Sequence, residues 1–286
     1  MSNAPPDAST GAFAGLLERD LLLTDADFTR VSQLIYQRAG IVLAPHKRDM
    51  VYSRLGRRVR SLGLTRFSDY LTRLELHGNA TEWTAFTNAL TTNLTSFFRE
   101  AYHFPLLAQH VTGRRGPVRV WSTAASTGEE VWSIAITLLE TLGPQADIEV
   151  VGTDIDTEAL RRARAGIYPQ ELLRDMDKGR LKRFFLKGAG QHSGFVRVRP
   201  ELTARVRFGE LNLVAPAWQD IEPFDAIFCR NVMIYFDRTT QARVLDRLAA
   251  CLKPDGLLFA GHSENFSQIS TRFRLRGQTV YTLKQA

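Results

Sequence analysis

The chain has 286 residues, 44% of them hydrophobic and 23% charged, an ordinary globular composition with room for two domains. A net charge of +7 and a pI near 9.7 admit either a nucleic-acid or an acidic protein partner, so bulk charge alone decides nothing. Cys229 and Cys251 are the only cysteines, which excludes a disulfide framework and a cysteine-rich metal site; no apolar run approaches the roughly 20 residues of a membrane helix.

Residues 1–20 are polar, contain Pro5-Pro6 and lack a basic-then-apolar leader pattern, so a poorly ordered tail is expected rather than a secretory signal. Residues 21–90 read as a small helical domain. Phe28, Val31, Leu34 and Ile35 share one face over 26–39, with Gly40 as the stop, and Val51, Leu55, Val59 and Leu62 form a stripe over 46–62. Further helical patterns surround Leu71 and Leu74, then Trp83, Phe86 and Leu90, before a linker over 91–116. From 117 to 286 the pattern changes. Strands are predicted at 118–121, 148–153, 206–208, 226–229 and 256–260, with helices at 129–142, 157–165 and 239–252. This alternation implies an α/β domain whose sheet is mostly parallel with right-handed crossovers. Glycine-rich and then alternating residues suggest a small β insertion at about 186–203, and residues 273–283 read as a closing hairpin that turns at Arg276-Gly277-Gln278.

Residues 119–130 run from a strand through a turn of small residues into a helix, whose N-terminus offers free N–H groups and partial positive charge. A dinucleotide needs Gly-x-Gly-x-x-Gly so that backbone can reach its pyrophosphate. Here Gly128 stands alone among Ala124, Ala125, Ser126 and Thr127, which points to a cofactor without phosphates, or else to an ordinary strand–helix turn. Asp154 ends the next strand, where a carboxylate can take both ribose hydroxyls; Asp156 before Thr157-Glu158 fits a helix N-cap. Glu129 is favoured in a first helical turn by the dipole in any case.

Five stretches occur in order: Asn-Leu-Thr-Ser-Phe-Phe-Arg-Glu at 93–100, then 121–130, 152–156, 224–237 and 254–264. Together they resemble the CheR family of chemotaxis receptor glutamate O-methyltransferases. The resemblance implies a Rossmann-like S-adenosylmethionine-dependent methyltransferase fold with a small all-helical N-terminal domain and a small β insertion. It implies S-adenosyl-L-methionine as cofactor and S-adenosyl-L-homocysteine as product. By the same resemblance Asn93, Thr95 and Arg99 close over the cofactor, Glu129 contacts its methionine or ribose portion and Asp154 holds the ribose. Asn212 and Leu213 form the adenine side, while Arg230, Asn231 and Tyr235 stand beside the sulfonium and the incoming carboxylate. Arg99 and Tyr235 are the implied catalytic pair. Val131-Trp132 departs from the Pro-Tyr expected in many relatives. A carboxylate nucleophile is ionised at neutral pH, so the transfer asks for alignment and exclusion of water rather than for a general base.

Six basic residues, Lys47, Arg48, Arg54, Arg57, Arg58 and Arg60, face one acid, Asp49, between positions 47 and 60; Lys47, Arg54 and Arg58 share a narrow helical face. Such a run is a solvated face, a docking surface for an acidic helical substrate or an inward-facing edge of the cofactor cleft. The resemblance implies docking by Arg54, Arg57 and Arg58 of the cytoplasmic helical domain of chemotaxis receptors. The insertion is either a plain hairpin or, as in some family members, a sheet edge that captures a receptor C-terminal peptide. A nucleic-acid methyltransferase and a non-catalytic signalling module of the same fold are the rival readings. Against the former, the 230–235 segment lacks the Pro-Pro-aromatic signature that receives a flipped base. The expectation is a cytoplasmic monomer with no metal, no nucleic-acid partner and no membrane insertion.

Overall fold

A computed structural model describes residues 21–218 and 221–284; the expected N-terminal tail at 1–20 lies outside the described residues. Four helices come first: α1 (Asp25–Ala39), α2 (Arg48–Ser61), α3 (Phe67–His77) and α4 (Ala80–Leu90). Thr24 and Asp27 form a reciprocal capping box at the start of α1, and Gly40 ends it at φ 68°, a left-handed conformation cheap only for glycine. Val31 and Ile35 of α1 bury against Val51, Leu55 and Val59 of α2 and Tyr70, Leu71 and Leu74 of α3.

The segment expected to be a linker contains a further helix, α5 (His103–Val111). Then follow β1 (Val118–Ser122), α6 (Glu129–Leu142), β2 (Ile148–Asp154), α7 (Thr157–Ala165), β3 (Ile167–Pro169), α8 (Lys178–Phe184), β4 (Phe185–Lys187), β5 (Phe195–Val198), α9 (Pro200–Thr203) and β6 (Val206–Glu210). The chain closes with β7 (Phe224–Cys229), α10 (Arg238–Ala250), β8 (Leu252–Ala260), β9 (Phe273–Gly277) and β10 (Val280–Leu283).

The main sheet has the order β6-β2-β1-β7-β8-β10-β9, parallel from β6 to β8 and antiparallel at β10 and β9. The chain leaves β1 for β2 on one side and returns as β7 on the other, so the order reverses at β1. A crevice opens at the C-terminal strand ends where the order reverses, and ligands bind there in open α/β sheets. The hairpin turns through Gln278 and Thr279, at φ 48° and 57°, one residue later than expected.

The β insertion is larger than its expected span of 186–203. Its sheet, β3-β5-β4, is antiparallel and begins at Ile167, because β3 directly follows α7 and pairs with β5. One apolar cluster joins α1–α4 to one face of the main sheet through Trp121, Leu213, Ile227 and Leu258; α5 and α6 cover the other face.

Candidate active site

The crevice is a cleft with an empty volume of about 1230 Å³ including its open mouth, lined by the ends of β1, β2 and β7 and by the helical domain. From the sheet come Thr123, Asp154, Arg230 and Tyr235, from the segment after α4 Asn93, Thr95 and Arg99, and from the loop after β6 Asn212 and Leu213. These residues are scattered over some 140 positions, and the topology brings them to one place. Four non-glycine residues in or beside this wall have positive φ: Phe98 at 53°, Glu100 at 54°, Ser126 at 49° and Asn231 at 58°. Such conformations cost of order 1–3 kcal/mol each and persist only where surrounding contacts fix them.

Asp154 accepts backbone N–H groups from Ser126 at 2.8 Å and from Asp156 at 2.9 Å, which hold its carboxylate at the cleft wall. Burial raises its pKa while those N–H groups oppose the rise. Asp156 caps α7 as expected, accepting from Glu158 and Ala159 N–H at 3.0 Å. It also takes hydrogen bonds from Thr91 Oγ1 and Asn93 Nδ2, both at 2.6 Å. Asn93 therefore spends its amide on fastening the connecting segment to β2, and its Oδ1 accepts from Ser126 Oγ at 3.2 Å. Asn212 is similarly engaged, donating from Nδ2 to the Arg38 carbonyl at 2.7 Å. Leu213 is 5% exposed and gives the cleft an apolar wall together with Ile155.

Glu129, expected to contact the cofactor, does not stand among the residues that line the cleft. Its carboxylate accepts from Thr127 Oγ1 at 2.7 Å, is buried away from the cleft wall and is pushed up in pKa by that burial. Successive helical residues point about 100° apart, and the acid that α6 presents to the cleft is Glu130. Glu130 accepts from Ser122 Oγ at 2.8 Å and pairs with Arg230 Nη1 at 2.9 Å. Gly128 serves packing: a Cβ there would lie 2.9 Å from Ala163 Cβ and from the Tyr168 hydroxyl.

Arg230, expected beside the sulfonium, lines the cleft and is at the same time a buried hub of ion pairs. Its Nη2 lies 3.2 Å from Glu100 and donates to the Arg99 carbonyl at 2.5 Å. Burial opposes ionisation of Glu100, but the His262 hydrogen bond, the Arg230 charge and the Asn231 amide outweigh it and hold its pKa at about 2. Burial, reinforced by the Arg230 charge, lowers His103 to about 4, so this ring is neutral near neutral pH. Arg99 differs from Arg230. It lines the cleft, donates to the Leu94 carbonyl at 2.8 Å and has no carboxylate partner among the described residues. Tyr235 lines the same cleft, and its carbonyl accepts from Val42 N–H at 2.9 Å, tying the catalytic domain to the helical domain.

Arg54, Arg57 and Arg58 line a separate groove between α2, α4 and α7. Two of the three are already engaged. Arg54 donates to the Thr91 carbonyl just beyond α4, and Arg58 pairs in two-pronged fashion with Glu82, which also accepts from the Tyr70 hydroxyl at 3.0 Å. Arg57 is exposed, and Lys47 belongs to the cofactor cleft rather than to this groove. The sequence reading also missed Glu100, Glu130 and the Ile41–Leu43 wall; only position in the fold distinguishes these from ordinary acids and core residues.

The donor set fits S-adenosylmethionine. A carboxylate with free lone pairs at the β2 end suits a ribose diol, apolar Ile155 and Leu213 suit a purine, and Glu130 is an acid suited to an ammonium group. The helix α6 begins without a glycine-rich cradle for pyrophosphate. Among the described residues no helix is long and apolar enough to cross a membrane.

Comparison with known families bears on the cofactor. The CheR methyltransferase SAM-binding domain matches residues 93–282, and the CheR methyltransferase all-alpha domain matches residues 26–91. A chemotaxis protein methyltransferase of Escherichia coli K12 is 59% identical over 286 residues, all of both chains. That of Salmonella typhimurium LT2 is 57% identical over all of this chain and 99% of its own. Chemotaxis protein methyltransferase 2 of Pseudomonas aeruginosa is 51% identical over 263 residues, 91% of this chain and 93% of its own. The chain therefore belongs to the CheR family of chemotaxis methyltransferases, enzymes built on an S-adenosylmethionine-binding domain.

Proposed function

We propose that this enzyme methylates glutamate side chains of chemotaxis receptors, forming glutamyl methyl esters in the cytoplasm as part of chemotactic adaptation. The observation that carries the reading is the contrast between the two arginines of the cleft. Arg230 is neutralised by Glu100 and Glu130, whereas Arg99 has no carboxylate partner among the described residues and lines the same cleft as Tyr235. A free cation and a phenol on one cleft suit a carboxylate substrate better than a neutral base.

In this reading Asp154 holds the ribose hydroxyls, Leu213 and Ile155 enclose the adenine, and the acidic start of α6, with Glu130 on the cleft wall, faces the methionine portion first given to Glu129. Asn93 and Thr95 close the segment above. The cofactor, when bound, supplies an electrophilic sulfonium methyl. Arg99 holds one oxygen of the incoming carboxylate and Tyr235 donates to the other, so the pair orients the nucleophile. The connecting segment, fastened by Asp156, keeps water out. No base is required.

Arg57, with Arg54 and Arg58 behind it, docks the receptor's cytoplasmic helical domain. The exposed edges of the small sheet, β3 and β4, offer a receptor C-terminal peptide a place to add a strand. The enzyme acts as a monomer and leaves nucleic acid alone. Incubation of receptor fragments with enzyme and cofactor, followed by peptide mass spectrometry, tests the reading: methyl groups are expected on glutamates, and methylation confined to other side chains would refute it.

A further inference from the structure

Glu264 lies between β8 and β9 and is 4% exposed. Its carboxylate accepts four backbone N–H groups: Oε2 from Gly261 at 2.6 Å and Asn231 at 2.9 Å, Oε1 from Met233 at 2.8 Å and Val232 at 3.0 Å. Three of the four donors belong to the turn after β7, the turn that brings Arg230, Asn231 and Tyr235 to the cleft. Without an acceptor there, these N–H groups would be buried and unpaired in a segment that has left the sheet ladder. Asn231 is also held at φ 58°, which turns its amide toward Glu100 at 3.3 Å. Gly261 completes the device: a Cβ there would lie 2.5 Å from Asn231 Nδ2 and 2.8 Å from Glu264 Oε2.

We propose that Glu264 is a positioning residue whose carboxylate is the template on which residues 230–235 fold into the cofactor cleft. It touches neither cofactor nor substrate and acts through the turn. An ionised carboxylate is the only side-chain group that offers two acceptor oxygens and no donor at this spacing. Glutamine keeps one oxygen and aims an NH2 group at two of the N–H donors, so the turn must open on that side.

The proposal rests on the cleft as cofactor site, not on the glutamate substrate, so its test reads cofactor affinity alone. S-adenosylhomocysteine is titrated calorimetrically into the full chain and into Glu264→Gln, below the thermal midpoint of each. Asp225→Asn is the control for a merely structural buried acid. Asp225 sits at the opposite end of the same strand, 1% exposed, paired with Arg114 at 2.8 Å and Lys253 at 2.9 Å. Glu264→Gln is expected to weaken binding by about tenfold or more while Asp225→Asn stays within about twofold. Equal losses in the two variants, or an unchanged affinity in folded Glu264→Gln, would overturn the proposal. Gly261→Ala disturbs the same turn with the carboxylate intact and is expected to weaken binding similarly. If Glu264→Gln does not fold, wild-type affinity in Gly261→Ala overturns the proposal instead.

Discussion

In the proposed mechanism Tyr235 and Arg99 each donate a hydrogen bond to a charged acceptor, worth roughly 1.5–3 kcal/mol. Replacing Tyr235 with Phe removes one such bond and leaves the ring, so kcat for receptor methylation is expected to fall about ten- to a hundredfold with cofactor affinity retained. Unchanged turnover would remove Tyr235 from the mechanism. His103 makes a second prediction, concerning pH. Its pKa is held at about 4 when folded against 6.5 when unfolded. The unfolded chain thus binds more protons between those values, and stability falls as pH drops below 6.5. By pH 5 this group alone removes about 2 kcal/mol. Urea unfolding of His103→Gln is expected to show a correspondingly smaller loss between pH 7 and pH 5 than the parent chain; equal losses would contradict the assignment. At this scale the sequence was legible where residue chemistry is self-limiting, as at Asp156, which before Thr157-Glu158 had to cap α7. It was illegible for Glu129 and Glu130, adjacent acids that differ only in the phase of their helix.

In helix α2 one charge run divides between residues committed to the fold and an exposed one proposed to dock the receptor. Arg58 is committed to Glu82 at 3.0 Å, with Tyr70 sharing the acid, and all three lie within the helical domain. Arg58→Glu is therefore expected to cost about 1–2 kcal/mol in urea unfolding, because it breaks a half-buried pair and leaves like charges facing one another. Arg57 is exposed, and Arg57→Glu should leave stability nearly unchanged while raising the Michaelis constant for receptor several-fold. A destabilised Arg57→Glu, or one with unaltered kinetics, would separate α2 from docking. The long elements were readable because β-branched runs and helical stripes are locally complete signals. Helix α5 was hidden because Pro105 stands in its first turn, where a missing N–H is harmless but the residue reads as a breaker. Strand β3 was hidden because its three residues are too few to show alternation and gain their meaning from pairing with β5.

At the scale of the molecule, the site exists because two parts of the chain share one core. The apolar cluster of α1–α4 continues into the sheet, and polar ties bridge the same junction: Tyr36 to Asp237 at 2.6 Å, Asn212 to the Arg38 carbonyl, and Asn88 to Thr157 at 3.0 Å. The helical domain thereby supplies one wall of the cleft; within residues 21–90 only the basic run at 47–60 hinted at that role, and Lys47 of that run lines the cleft. The alternation of strands and helices implied a mostly parallel sheet, but the strand order, and with it the reversal at β1 that locates the cleft, came only with the structure. What the cleft acts on is settled by one assay. Cofactor carrying a labelled methyl group is incubated with enzyme, receptor and nucleic acid together, and the products are treated with mild alkali. Label is predicted on the receptor alone and is released as methanol, since a carboxyl methyl ester hydrolyses in base. Label on nucleic acid, or alkali-stable label on the receptor, would contradict glutamate methylation.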